Sequence, residues 1–223
     1  IEGCPVRNVW ELTESEWNGH FTMQDPLGKP AFTDWFNQLK EHHDADLAKA
    51  YEDLYGRPLT TNFSSATEAW VAALAKNQPL LTKNDGSAAE AVGAPDTKQN
   101  FIGLFSTAKF RENKNGMKLG ICADLEPFVG YSIPSLIFIV KGTPSPNAAK
   151  LFVHYMLTEE GFAPQAIDGK ISSNPEVKSP AEDPSGIAEY LHRLTFYNTK
   201  TVESDWKTRR DWQDLWTINH YDH

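Results

Sequence analysis

Polar side chains stand at several points where predicted strands end, and their chemistry suits the binding of a small solute. Lys29 and Thr33 lie between a predicted strand and a predicted helix. Lys29 could pair with an anionic ligand, and Thr33 could donate a hydrogen bond. In the alternative interpretation, Asp25-Pro26 forms only a turn here and Lys29 is solvated.

A second candidate is the turn Asn84-Asp85-Gly86-Ser87, which opens a predicted helix. Gly86 lets the backbone approach a ligand closely. Ser87 could offer a hydroxyl or an amide at the positive end of the helix, and Asp85 could accept hydrogen bonds from sugar-type hydroxyls. Alternatively, Asp85 or Ser87 serves only as a helix cap.

Two further positions complete this set of candidates. Ser106 ends a predicted strand and is followed by a second hydroxyl residue. In the stretch 126–131, Glu126 could accept hydroxyl hydrogens, while Phe128 or Tyr131 could offer a ring face for stacking. The alternative is a capped turn beside aromatic residues of the core.

The two cysteines, Cys4 and Cys122, form no C-x-x-C pair, so zinc and thioredoxin-type chemistry have no support. In an oxidising compartment they could form one disulfide. They could equally be two unrelated buried thiols.

The sequence shows no pattern for a metal site or for an enzyme. Of the seven histidines, His42 and His43 are adjacent, and on a helix their side chains point about 100° apart. G-x-S-x-G, H-E-x-x-H, P-loop and G-x-G-x-x-G motifs are absent. We therefore expect no metal ligand, no cofactor and no catalytic residue, although two carboxylates facing each other across a cleft could still support glycosidase chemistry.

Composition restricts the partners. The 223 residues carry 21 basic and 30 acidic side chains, for a net charge of −9. A field of that sign repels nucleic acid and anionic lipid. No apolar run is long enough to cross a bilayer, so we expect no direct membrane insertion in this segment.

Strands alternate with helices along most of the chain, which predicts an α/β sheet with helices on both faces. Leu136–Val140 is a continuous apolar run of the kind that forms a strand buried on both faces. The other predicted strands cover 20–24, 79–82 and 101–106, and the main predicted helices cover 33–39, 45–55, 65–76 and 147–157.

Three stretches resemble the ferric-ion-binding type of periplasmic solute-binding proteins, an extracellular family 1-like branch with a type II fold. The first runs from Asn8-Val9-Trp10-Glu11-Leu12-Thr13 to Asp25-Pro26, and the second is Phe101-Ile102-Gly103-Leu104. The third is Val140-Lys141-Gly142-Thr143-Pro144 with the following helix and Leu157-Thr158-Glu159-Glu160-Gly161. Together they span roughly residues 8–175.

The resemblance implies a two-lobed protein with its ligand in an inter-lobe cleft. Residues 1–135 would form the second lobe, and residues 136–223 would return largely to the first lobe, much of which would precede this segment. The protein would be the periplasmic, or lipid-anchored extracytoplasmic, component of a bacterial ABC importer. It would deliver its solute to a membrane permease and would not be an enzyme.

Ferric-binding relatives commonly use adjacent tyrosines, whereas Tyr131 stands alone at the corresponding region. Some relatives bind phosphorylated sugars. We therefore expect a phosphorylated sugar or a similar organic anion, with phosphate on helix amides and hydroxyls on Asp85 and Glu126. Ferric iron is the alternative, and a carbohydrate-active enzyme or a purely structural module is a further one. The binding hypothesis requires that Ser87, Ser106 and Glu126 surround one crevice.

Overall fold

The computed structural model describes residues 3–178 and 183–221 and has an α/β fold. The strands are β1 (Phe21–Gln24), β2 (Leu80–Thr82), β3 (Ile102–Leu104), β4 (Gly130–Ser132) and β5 (Leu194–Phe196). The α-helices are α1 (Pro30–His42), α2 (Asp44–Tyr55), α3 (Ala66–Lys76), α4 (Asp85–Gly93), α5 (Pro146–Met156), α6 (Glu159–Ala166) and α7 (Val202–Tyr221). Short 3-10 helices cover Glu11–Thr13, Ser15–Trp17, Thr107–Asn115, Ile187–Arg193 and Thr199–Thr201.

Local sequence explains where several helices begin and end. Pro30 occupies the first turn of α1, where its missing N–H is not needed. Ser65 caps α3 by accepting a hydrogen bond from the Glu68 amide. Gly56 ends α2 with a φ of 66°, a left-handed conformation that glycine adopts without steric cost.

Three strands form a parallel sheet in the order β2-β1-β3. Thr22 of the central strand β1 pairs with Leu80 of β2 on one side and with Gly103 of β3 on the other. Helices α1 to α3 connect β1 to β2, and α4 carries the chain from β2 across to β3. Since all three strands run in one direction, their carboxyl ends share one edge of the sheet, where α/β proteins generally bind ligands.

An aromatic core lies where helices α1, α3 and α7 pack together. Phe36, Trp212 and Trp216 are buried there, and the Phe36 and Trp216 rings are stacked with centroids 6.0 Å apart. Trp35 contacts Trp70 edge to face at 6.0 Å. The C-terminal helix therefore shares one hydrophobic core with helices of the first half of the chain.

A buried polar cluster fastens α7 to α1. The Asp205 carboxylate is 1% exposed and accepts hydrogen bonds from Asn37 Nδ2 at 2.8 Å, Gln38 Nε2 at 2.7 Å and the Tyr197 hydroxyl at 2.7 Å. At the rim of this cluster, Arg209 binds the Asp34 carboxylate with two hydrogen bonds of 2.6 and 2.7 Å.

The prediction of a buried strand at Leu136–Val140 is wrong. This run has no regular secondary structure, and all five side chains are exposed. A central strand needs neighbours that complete its backbone hydrogen bonds and cover both faces, and the described residues supply neither. A helix was also predicted over 147–157, and α5 forms there. Like the apolar run, this helix buries none of its side chains.

Other sequence expectations are met only in part. Gly161 does not end α5 but lies inside α6, where its amide donates to the Thr158 hydroxyl. The two helices predicted over 190–223 are replaced by short 3-10 helices, β5 and the single long helix α7. Residues 179–182 of the predicted surface segment 168–186, and the ends 1–2 and 222–223 of the two predicted lobe segments, lie outside the described residues.

Two findings concern the chain as a whole. Cys4 and Cys122 form a disulfide, with Cα atoms 5.0 Å apart, so the first of the two alternatives holds. Within 3–178 and 183–221, no helix combines the length and the apolar composition that a membrane span requires.

Candidate functional site

A cleft of about 1390 Å³ is lined by residues of the three-stranded sheet and by residues that follow the carboxyl ends of its strands. Lys29 lies between the end of β1 and α1, Asp85 follows β2, and Ser106 follows β3; all three line the cleft. Tyr131, on β4, lines it as well. The topology therefore brings together side chains that lie up to about a hundred positions apart in sequence.

Lys29 and Asp85 form an ion pair inside the cleft. The Lys29 Nζ is 3.2 Å from Asp85 Oδ1, and it also donates to Gln24 Oε1 at the end of β1. The ammonium lies 5.2 Å from the centroid of the Phe32 ring, within the range of a cation–π contact. Lys29 is thus held over the cleft floor by three groups, in contrast to the alternative of a solvated lysine.

The start of α4 is capped by Asn84, and by neither Asp85 nor Ser87. Asn84 Oδ1 accepts from the Ser87 amide at 3.0 Å, which leaves that amide unavailable to a ligand. Among the described residues, the hydrogen bonds of this turn include no acceptor for the amides of Asp85 and Gly86. Because first-turn amides point out of a helix at its positive end, these two can bind an anion.

Gly86 contributes to this turn by its small size. A Cβ at Gly86 would lie 2.9 Å from Asn84 Oδ1 and 4.0 Å from Lys109 Nζ. A larger residue would therefore press on the capping side chain. Lys109 brings a second ammonium close to the start of α4, although Lys109, Gly86 and Ser87 are not among the residues that line the cleft.

Aromatic rings form the floor of the cleft around Tyr131. Its ring stacks on Trp35 with centroids 4.8 Å apart and meets the Phe32 ring edge to face at 6.1 Å. Burial raises the pKa of the Tyr131 phenol, and the nearby Asp85 carboxylate raises it further. The hydroxyl is therefore neutral near pH 7 and can donate a hydrogen bond.

Three other predicted site residues do not present the groups expected of them. Thr33 is fully buried in α1, and its hydroxyl donates to Pro30 O at 2.8 Å. Glu126 is not among the residues that line the cleft, and it pairs with Arg193 at 3.0 Å. Phe128 lines the cleft but is only 5% exposed, with the edges of Trp35 and Trp70 packed against it, so it has no free face for stacking.

The expectation that Ser87, Ser106 and Glu126 surround one crevice is therefore wrong for the set, since only Ser106 lines the cleft. The binding hypothesis in that form fails, and a binding role must be argued from a different set, Lys29, Asp85 and Ser106. Gln24 and Phe32 were missed from sequence although both contact Lys29. Their positions in the sequence could have indicated this role, because Gln24 is the last residue of a strand and Phe32 lies in the first turn of the helix that follows.

The wall opposite the sheet edge is built from loops. Cys4, Cys122 and Asp124 lie on one part of it, and the disulfide joins its two segments. Residues 133–137 and 169–173 form another part, which includes Lys170. These loops enlarge the cleft beyond the three strand ends, and they add both polar and apolar side chains to its lining.

Within the described ranges, no group of three or more His, Cys, Asp or Glu side chains is arranged to hold a metal ion. No protein-family model matches the chain, and a comparison with curated proteins finds no match. The geometry of the cleft must therefore carry any functional assignment.

Proposed function

We propose that this chain belongs to an extracytoplasmic solute-binding protein of a bacterial ABC importer and captures a hydroxylated organic anion, such as a sugar phosphate. The observation that carries this proposal is the convergence of Lys29, Asp85 and Ser106 from three parallel strand ends on one cleft. Clefts of this kind, apolar with a few convergent polar groups, commonly bind small ligands.

The polar groups of the cleft include both hydrogen-bond donors and hydrogen-bond acceptors. Lys29 and the amide of Asp85 are donors suited to a phosphate. Asp85 is an acceptor suited to sugar hydroxyls, and the Tyr131 hydroxyl is a neutral donor. Because Asp85 already neutralises Lys29, a ligand gains most when it supplies both an anion for Lys29 and hydroxyl donors for Asp85.

The sequence resemblance supports a type II periplasmic fold and a periplasmic location for this proposal. In that fold, the apolar run Leu136–Val140 would be a strand of the first lobe. The division at residue 135 remains a prediction, but α7 shares its core with α1 and α3. We therefore place α7 with the second lobe and assign the stretch 136–178 to the first.

Isothermal titration of the protein with glucose 6-phosphate tests the proposal, with glucose, inorganic phosphate and ferric nitrilotriacetate titrated in parallel. We expect saturable heat with glucose 6-phosphate and weaker or no binding of glucose and phosphate alone. Binding of iron without binding of the sugar phosphate would support a ferric carrier instead. Release of free glucose during the titration would indicate an enzyme.

Two variants connect binding to the cleft. Asp85→Asn and Lys29→Met should each weaken glucose 6-phosphate binding by at least about 10-fold, since charge-assisted hydrogen bonds contribute roughly 1.5–3 kcal/mol. Asp211→Asn on α7 and Lys76→Met on α3 change the same residue types at exposed positions. Equal losses in all four variants would contradict a binding role for Lys29 and Asp85.

A further inference from the structure

The side chain of Gln24 lies between a hydrogen-bond acceptor and a hydrogen-bond donor. Its Nε2 donates to the Lys83 carbonyl at 3.1 Å, and its Oε1 accepts from the Lys29 ammonium. The backbone of Gln24 is paired with Thr82 at the end of the parallel ladder between β1 and β2. Because an amide carries its donor and its acceptor at fixed positions, the bond to Lys83 directs the Gln24 carbonyl toward Lys29.

Gln24 acts on the cleft through Lys29. Lys29 and Asp85 line the cleft, whereas Gln24 is not among the lining residues. The Lys29 side chain is 30% exposed and the Asp85 side chain 19% exposed, so this ion pair is only partly open to solvent. The bond from Lys29 to Gln24 therefore helps to fix where the cleft presents its positive charge.

The neutrality of Gln24 determines what Lys29 can bind. An ammonium carries three N–H donors, and both Gln24 and Asp85 accept from Lys29. Only Asp85 brings a negative charge, so the three side chains together carry no net charge. A second carboxylate in place of Gln24 would make this group of side chains negative, and it would repel an anionic ligand.

We propose that Gln24 is a positioning residue for the cleft. Its amide holds the Lys29 ammonium beside Asp85 and over the Phe32 ring, and its neutrality keeps Lys29 available to an anion. The effect on a ligand rests on the proposed binding of an organic anion, whereas the hold on Lys29 is a property of the protein alone. The two effects are therefore measured separately.

Acetylation of Lys29 by acetic anhydride, followed by mass spectrometry without ligand, tests the hold on the ammonium. Gln24→Met removes the acceptor at similar size, so the Lys29 amine should react at least about 3-fold faster, as expected for the loss of one hydrogen bond. Gln24→Glu adds a carboxylate that stabilises the ammonium, so the amine should react more slowly than in the unmodified protein. The exposed Lys76 is the internal reference.

The opposite signs of these two changes distinguish positioning from a general effect on the fold. Loss of the fold would make Lys29 more reactive in either variant, so it cannot produce the slower reaction expected of Gln24→Glu. Equal Lys29 rates in all three proteins, relative to Lys76, would overturn the proposal, as would faster reaction in both variants.

Isothermal titration with glucose 6-phosphate tests the consequence for binding. Gln24→Glu should weaken binding by at least about 10-fold, and by more than Gln24→Met does, because the added charge repels the phosphate. Gln99→Glu is the matched control, since Gln99 also lines the cleft but is exposed and precedes the amino end of β3. Its effect should stay below about 3-fold, because exposed charges interact weakly through water.

The two experiments separate the role of Gln24 from the identity of the ligand. Equal losses of binding in Gln24→Glu and Gln99→Glu would contradict a specific role of Gln24 in anion binding. If the unmodified protein binds no glucose 6-phosphate while the Lys29 rates shift as expected, the proposed ligand is wrong and the positioning of Lys29 by Gln24 stands.

Discussion

At the residue scale, Asp205 is an ionisable group that is 1% exposed and held by several hydrogen bonds. It is a buried carboxylate whose hydrogen-bond donors, from Asn37, Gln38 and Tyr197, are all neutral. A carboxylate accepts but cannot donate, and the surrounding groups provide donors that match it. The cluster joins α1, α7 and the segment after β5, so it positions these elements relative to one another.

Asp205→Asn tests this role with little change in shape. The new amide would place an N–H₂ where a carboxylate oxygen accepts hydrogen bonds from Asn37 or from Gln38 and Tyr197, and each buried group left unpaired costs roughly 1–3 kcal/mol. We expect the free energy of unfolding, measured by urea denaturation, to fall by about 2–4 kcal/mol. Asp211→Asn, one turn and a half further along α7 and exposed, should change it by less than about 0.5 kcal/mol. Similar values for the two variants would show that the buried cluster contributes little.

At the element scale, the disulfide joins two segments that backbone hydrogen bonds also connect nearby, from Glu126 to Arg7 and from Val9 to Glu126. Between Leu119 and Leu125 the backbone hydrogen bonds are local, from Ala123 to Ile121 and from Leu125 to Cys122. The bond to Cys4 attaches this stretch of the cleft wall to the N-terminal segment and closes a loop with a sequence separation of 118 residues.

Replacing both cysteines by serine should lower the free energy of unfolding by up to about 4–5 kcal/mol, the chain-entropy value for a loop of this length. Urea denaturation of the variant checks this, and the unmodified protein under reducing conditions should show a loss of similar size. If reduction leaves the midpoint unchanged, the wall is held by packing, and the disulfide is not what stabilises it.

Sequence patterns predicted most elements whose signals are local. The helix predicted over 65–76, the helix predicted over 45–55 and the strand preceding Asp25-Pro26 all lie close to where they were expected. Leu136–Val140 was wrongly assigned as a strand because a continuous apolar run indicates only that burial of the segment would be favourable. Whether the segment forms a strand depends on neighbouring strands, which the sequence pattern does not reveal.

In the cleft, too, residues with local signals were predicted, and features that depend on tertiary packing were missed. Lys29, Asp85 and Ser106 were found because they follow predicted strands, and parallel strands bring their ends together. Thr33 and Glu126 were misplaced because side-chain direction and ion pairing with a distant Arg193 depend on tertiary packing. The stacking of Tyr131 on Trp35, between residues almost a hundred positions apart, had no signal in sequence.

At the scale of the whole molecule, stability depends on closing the core with the last helix. Trp212 and Trp216 of α7 are buried against α1 and α3, while Trp206 on the same helix is largely exposed. One helix therefore contains both a buried and an exposed tryptophan in comparable helical surroundings.

Trp216→Ala should lower the free energy of unfolding by about 3–5 kcal/mol, the usual cost of truncating a buried aromatic residue. Trp206→Ala should change it by less than about 0.5 kcal/mol, since the ring makes little buried contact. Thermal denaturation followed by circular dichroism compares the two. A comparable loss in both would mean that helix propensity, and not core packing, determines the effect.

The position of α7 has a consequence for how the protein is made. Asp34 and Trp35 leave the ribosome some 160–175 residues before their partners Arg209 and Thr195. The nascent chain therefore presents an open aromatic groove between α1 and α3 until α7 has been translated. Chaperones that shield apolar segments, or export before folding, would protect the polypeptide until its final turns of helix emerge and fill that groove.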